Sequence, residues 1–146
     1  MSGEPIVVGT DGSTTAEAAV DKAAELAEAL GCPLHLVSAY TPTTAWMPAT
    51  GGIAMAEVVS TESALAVAEQ AVDHCRSRLA DRELEVQTHV CCGEPAHSLV
   101  ALADELGAQM IVVGNRGMSG ARRVLGSVPN RVSHHSSCAV LIVHTS

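Results

Sequence analysis

Two short apolar runs end alike, "PIVVG" at 5–9 and "MIVVG" at 110–114. Neither alternates with polar residues, the pattern of strands buried on both faces. After the first, Ala16, Ala19, Val20, Ala23, Ala24, Ala27 and Leu30 recur at the helical period, with Ser13 or Thr14 as cap and Gly31 as stop. "PLHLVSAY" at 33–40 predicts a second strand, and "TPTTAWMPATGGIAM" at 41–55 a mobile loop anchored by Trp46. Leu65, Ala68, Val72 and Cys75 predict a helix over 62–79. "LEVQTHVC" at 84–91 alternates as an edge strand does. A third helix has Pro95 near its start and Gly107 at its end, and a fourth spans "SVPNRVSHHS". "AVLIVH" at 139–144 closes the chain as a strand.

The resulting order, β-α-β-α-β-α-β-α-β, predicts one α/β domain over residues 1–146. Its expected core is a doubly wound, five-stranded parallel sheet with helices on both faces, flavodoxin-like in layout, with strand order 3-2-1-4-5. In that order strands one and four are neighbours whose following helices leave to opposite faces. Such sheets bind ligands in the crevice beyond the strands' carboxyl ends at that point. The fifth strand is an edge.

Composition narrows the chemistry. The 146 residues include no Phe, one Trp and one Tyr, so the core rests on Ala, Val, Leu and Ile. Five cysteines, an odd number without a CxxC pair, read as reduced thiols. The start "MSGEPIVVG" lacks a basic segment and a long apolar run, and no run reaches membrane-spanning length. A cytoplasmic protein is expected, without membrane or nucleic-acid partners given the net charge of -8. That charge is uneven. All 16 acidic residues precede position 106, and the segment after it holds Arg116, Arg122, Arg123 and Arg131 with no acid.

Three of those arginines lie in "VVGNRGMSGARRVLGSVPN" at 112–130, beside Gly114, Gly117, Gly120 and Gly126. Glycines let backbone amides approach a ligand, here with φ > 0 expected at Gly114 and Gly117, and arginines pair with oxyanions. Arg122 and Arg123 read equally well as a solvated face. The two loops meeting at the expected crevice are 9–13 and 114–127. A Walker loop is excluded because Lys22 is the chain's one lysine, and no GxGxxG occurs. His134, His135 and Cys138 have spacing unsuited to zinc, and no nucleophilic triad is discernible.

"VVGTDGS", "VVGNRGMSGARRVLGSVPN" and "CAVLIVHTS" together resemble the universal stress protein family, in order and spacing, over essentially the whole chain. The family's ATP-binding branch carries G-x2-G-x9-G-[ST]. Here Gly114, Gly117, Gly126 and Ser127 give a second gap one residue shorter. The resemblance implies the adenine nucleotide α-hydrolase-like fold and ATP as ligand, with cyclic AMP as the alternative. It implies Gly9, Thr10 and Asp11 at the nucleotide, with Asp11 also able to hold Mg²⁺. Ala39 would meet the adenine edge. Gly114, Asn115, Arg116, Gly117, Met118, Ser119 and Gly120 would approach ribose and phosphates, and Gly126, Ser127 and Val128 would close on the phosphates. A homodimer through the final strand is expected because a bare apolar edge strand would invite aggregation; the resemblance further implies an unidentified regulatory protein partner and a role as a stress-response regulator switched by nucleotide. At most weak ATP hydrolysis is expected, since Asp11 is the one evident base. A ligand-free interaction module is the remaining alternative.

Overall fold

The computed structural model describes residues 3–41, 44–45, 57–58, 61–115 and 125–144. In chain order they form β1 (Ile6–Gly9), α1 (Thr14–Leu30), β2 (Leu34–Tyr40), β3 (Thr44–Ala45), β4 (Glu57–Val58), α2 (Thr61–Arg78), β5 (Val86–Cys92), α3 (Pro95–Leu106), β6 (Met110–Gly114), α4 (Ser127–His135) and β7 (Ala139–Val143). The main sheet runs β5-β2-β1-β6-β7 and every pairing in it is parallel. Counting only its strands, this is the expected order 3-2-1-4-5.

The loop expected at 41–55 needs correction. Thr44–Ala45 pairs antiparallel with Glu57–Val58 as a separate two-stranded ribbon. Two residues per strand are too few for a period of two to be visible in sequence. Trp46 lies outside the described residues.

Alternation along β1 divides the core. Ile6 and Val8 face one side with Leu34 and Leu36, under α1 and α2; Val7 faces the other with Val37 and Ile111, under α3 and α4. The α1 seam consists of Ala19, Val20, Ala23, Ala24 and Ala27, all fully buried. Four of these five are alanines, so the helix axis lies close to the sheet. Ser13 caps α1 by accepting from the Ala16 N–H, and Gly31 at φ 65 ends it. Arg78 of α2 reaches Glu17 and Asp21 of α1, His74 reaches Glu17, and Arg82 reaches Glu28. These pairs are solvent-accessible, so they align the two helices more than they stabilise them.

On the opposite face, His35 of β2 and His89 of β5 stack with ring centroids 5.0 Å apart. Their Nδ1 and Nε2 atoms are 2.7 Å apart, one proton between them. Burial lowers the pKa of both from 6.5. The charge of His89 lowers His35 further, while Glu85 opposes at His35 and Glu105 opposes at His89. The free cysteines include Cys32 and Cys75, both fully buried, and Cys92, which is exposed on β5.

Two outcomes follow from this packing. Ala23→Leu forces added methylenes between α1 and the sheet and is expected to destabilise by about 1–3 kcal/mol in urea unfolding. Because the folded histidine pair binds protons less readily than the unfolded chain, its contribution to stability is complete above pH 6.5 and lost as pH falls through the lowered folded values. The urea midpoint of His89→Gln should therefore fall less than wild type's between about pH 7.5 and about pH 5.5. Equal falls would show that the pair does not carry this dependence.

Candidate functional site

The central strand β1 and its neighbour β6 send their chains in opposite directions. After Gly9 the chain turns into α1 on one face, and after Gly114 it leads on to α4 on the other. The divergence leaves a cleft of about 220 Å³ at the carboxyl ends. Of the residues predicted for the site, Gly9, Thr10, Asp11, Ala39, Gly114, Ser127 and Val128 line it. Arg116, Gly117, Met118, Ser119 and Gly120 lie outside the described residues, as do Arg122 and Arg123.

Asn115 and Gly126 border the cleft without lining it. The Asn115 N–H donates to the Val143 carbonyl at 3.0 Å, and its own carbonyl accepts from the Gly126 N–H at 3.0 Å. Its side-chain amide contacts His144 Nδ1 at 3.3 Å. Asn115 thus fastens β6 to β7 and to the start of α4.

The two strand-end glycines have different reasons. A Cβ on Gly9 would come within 3.0 Å of Leu99 Cδ1, so Gly9 lets α3 pack onto the sheet. Among the described residues a Cβ on Gly114 would meet only the Thr15 carbonyl, at an ordinary 3.6 Å. The expectation of a left-handed Gly114 is corrected. It lies in β6, and the positive-φ glycines among the described residues are Gly12, Gly31, Gly93 and Gly107. Glycine at 114 keeps the cleft open; it does not serve a turn.

Sequence reasoning missed several walls. Val37 and Val113 are the strand positions just before the cleft, and Pro95 and Leu99 come from α3. Val37 was findable as the position two before Ala39 on the same face of β2. Pro95 and Leu99 were not, because how far α3 leans over the carboxyl edge depends on its contact with Gly9.

Three helices begin near this edge, and their N-termini differ. Ser13 closes α1, and its own N–H donates to Asp11 Oδ1 at 2.9 Å. Glu94 closes α3, its carboxylate accepting from Ala96 N–H and His97 N–H. Partial burial would raise the Glu94 pKa, but those two N–H groups and Arg131 outweigh it and hold the carboxyl below its ordinary value. At α4 the cap is Gly126, and among the described residues no side chain closes the end. A helix N-terminus with no side-chain cap among the described residues makes this wall favourable to an anion. Asp11, exposed, is the charged residue among those lining the cleft. No group of three His, Cys, Asp or Glu suited to a metal occurs among the described residues. No described helix is long and apolar enough to cross a membrane.

Known proteins share both the sequence and this shape. The universal stress protein family profile matches residues 3–144. Universal stress protein Rv1636 of Mycobacterium tuberculosis is 38% identical over 144 residues, covering 97% of this chain and 96% of its own. A universal stress protein solved in complex with cAMP is 36% identical with a TM-score of 0.69, covering 98% of both chains. That of Archaeoglobus fulgidus in complex with dAMP is 27% identical with a TM-score of 0.72, covering 97% of this chain and 98% of its own. Profile, identity and coverage agree along the whole length with the sheet order and the cleft at its switch point: the chain belongs to the universal stress protein family.

Proposed function

We propose that this protein binds an adenine nucleotide in the cleft between β1 and β6 and acts as a nucleotide-dependent regulator of stress responses. The observation that carries the reading is the start of α4, without a side-chain cap among the described residues, facing the same cleft as Gly114. Amides of Ser127 and Val128 would take a phosphate there, with the Ser127 hydroxyl adding a donor. Asp11 and Ala39 would lie toward the nucleoside. ATP is the first reading, because Gly114, Gly117, Gly126 and Ser127 resemble the glycine pattern of the family's ATP-binding branch, with the second gap one residue shorter. Cyclic AMP is the second reading, supported by the relative solved with cAMP at 36% identity. With ATP, Asp11 would offer one carboxylate to Mg²⁺, which takes its remaining ligands from phosphates and water. Gly117 and its neighbours 116–120 would complete the enclosure. The reading is one of binding as a switch: Asp11 is the single ionisable side chain lining the described cleft, and turnover is not needed to explain it.

The same reading includes a homodimer through β7, whose outer edge pairs with no other strand of the sheet. The Asn115 N–H donates to Val143 O, so Val143 and Leu141 turn their backbone groups toward β6. In a parallel ladder the intervening residues, Val140 and Ile142, turn theirs outward. A second β7 would bond to those outward groups and remove an edge prone to aggregation. The regulatory partner protein would be identified separately, by its dependence on nucleotide occupancy.

Calorimetric titration with ATP and with cyclic AMP should give a Kd in the micromolar range, roughly -8 kcal/mol, for one of them. Mass spectrometry of the denatured purified protein would show which nucleotide accompanies it. Gly114→Val should abolish binding while the fold persists, because valine suits a strand and has room against Thr15 while its methyls fill the cleft. Undiminished binding by a folded Gly114→Val protein sinks the site. For the dimer, Val140→Pro removes an outward N–H and should give a folded monomer by light scattering, since edge strands tolerate proline there. A wild-type monomer at micromolar concentration, or a dimeric Val140→Pro variant, would refute the β7 contact.

A further inference from the structure

The loop from Thr10 to Ser13 brings Asp11 to the cleft, yet what steadies it lies behind it, on α2. Thr10 is a polar residue only 7% exposed, where an unsatisfied hydroxyl would be costly. Its Oγ1 accepts from the Gly12 N–H at 3.2 Å and lies 3.5 Å from Cys75 Sγ. One hydroxyl thus serves the turn at Gly12 and the sulfur of a helix 65 positions away. Its backbone N–H donates to the Val37 carbonyl at 2.9 Å, which anchors the loop's other end to β2.

Gly12 adopts φ +82, and a Cβ there would stand 3.4 Å from the Cβ of Ala71. Ala71 and Cys75 are one turn apart on α2, both buried, and together they form the seat against which this turn rests. Burial pushes the Cys75 thiol up, the Thr10 hydrogen bond and Arg78 pulling the other way, with Glu17 and Asp21 adding to the rise. The sulfur therefore meets the hydroxyl as a neutral group able to donate or accept. Beyond Gly12, the Ser13 N–H fixes Asp11 Oδ1 and the Ser13 hydroxyl caps α1.

We propose that Thr10 is a positioning residue for the ligand site: its hydroxyl, held between Gly12 N–H and Cys75 Sγ, seats the Asp11 loop on the Ala71–Cys75 turn of α2. The proposal rests on the nucleotide reading of the cleft for its functional consequence and on the loop geometry alone for its structural part. It makes α2, which contributes no lining residue, a determinant of affinity.

The test compares Thr10→Val, which keeps the branched shape and deletes the hydroxyl, with Thr10→Ser, which keeps the hydroxyl. In the ligand-free protein, the Gly12 amide should exchange its hydrogen about tenfold faster in Thr10→Val and near the wild-type rate in Thr10→Ser. Calorimetry with ATP and with cyclic AMP should show about tenfold weaker binding for Thr10→Val and recovery in Thr10→Ser. Cys75→Ala leaves the loop sequence intact and should accelerate Gly12 exchange about threefold. This variant decides the matter if Thr10→Val does not fold. Unchanged Gly12 exchange in Thr10→Val or in Cys75→Ala overturns the proposal, and so does an equal loss in Thr10→Ser. If the wild-type protein binds neither nucleotide, the ligand reading falls on its own, and Gly12 exchange still decides the role of Thr10.

Discussion

Close contact between α1 and the sheet governs the rest of the architecture. Ala19, Ala23, Ala24 and Ala27 bring the helix backbone down onto β1 and β6, and Val20 alone along that seam carries a larger side chain. A helix lying across both strands must start at their carboxyl edge, so the loop that begins it becomes a wall of the cleft. Larger residues would lift α1 and move that wall. Small residues along the α1 seam are therefore a geometric requirement of this site.

Most of the fold was legible because its signals are local. Buried runs such as 6–8 and 111–113 have no polar interruption, the α1 alanines keep the helical period, and Gly31 and Gly107 mark ends with left-handed backbones. The ribbon of Thr44–Ala45 with Glu57–Val58 was not legible, since two-residue strands have no periodicity to read. In the cleft, the glycine positions could be read from sequence, but their reasons could not. Gly9 is small because Leu99 presses on it, and Gly114 is small in an ordinary strand conformation. Leu99 is 90 positions from Gly9, and no local pattern shows that they meet. Thr10 and Cys75 have the same difficulty, each unremarkable within its own segment.

The two sides of the cleft are built on different principles. The β1 side is closed upon itself: Thr10, Asp11 and Ser13 spend their polar atoms on the turn and on the cap of α1. The α4 side begins at a glycine whose N–H goes back to Asn115, and among the described residues no side chain closes it. The β1 wall is held by its own turn, with the Asp11 carboxylate still open to the cleft, while the α4 wall has helix amides that no described side chain caps.

This start of α4 has a thermodynamic meaning. α4 is nine residues long, too short to persist alone, and it depends on Pro129 and Val132 against the core. An anion seated on its first amides would act as the N-cap that no described side chain supplies. Occupancy would then be written into the stability of α4 and of the Asn115 junction with β7, so that these elements would tighten or loosen with ligand concentration. The protein would report the nucleotide level through the firmness of α4 and its junction with β7.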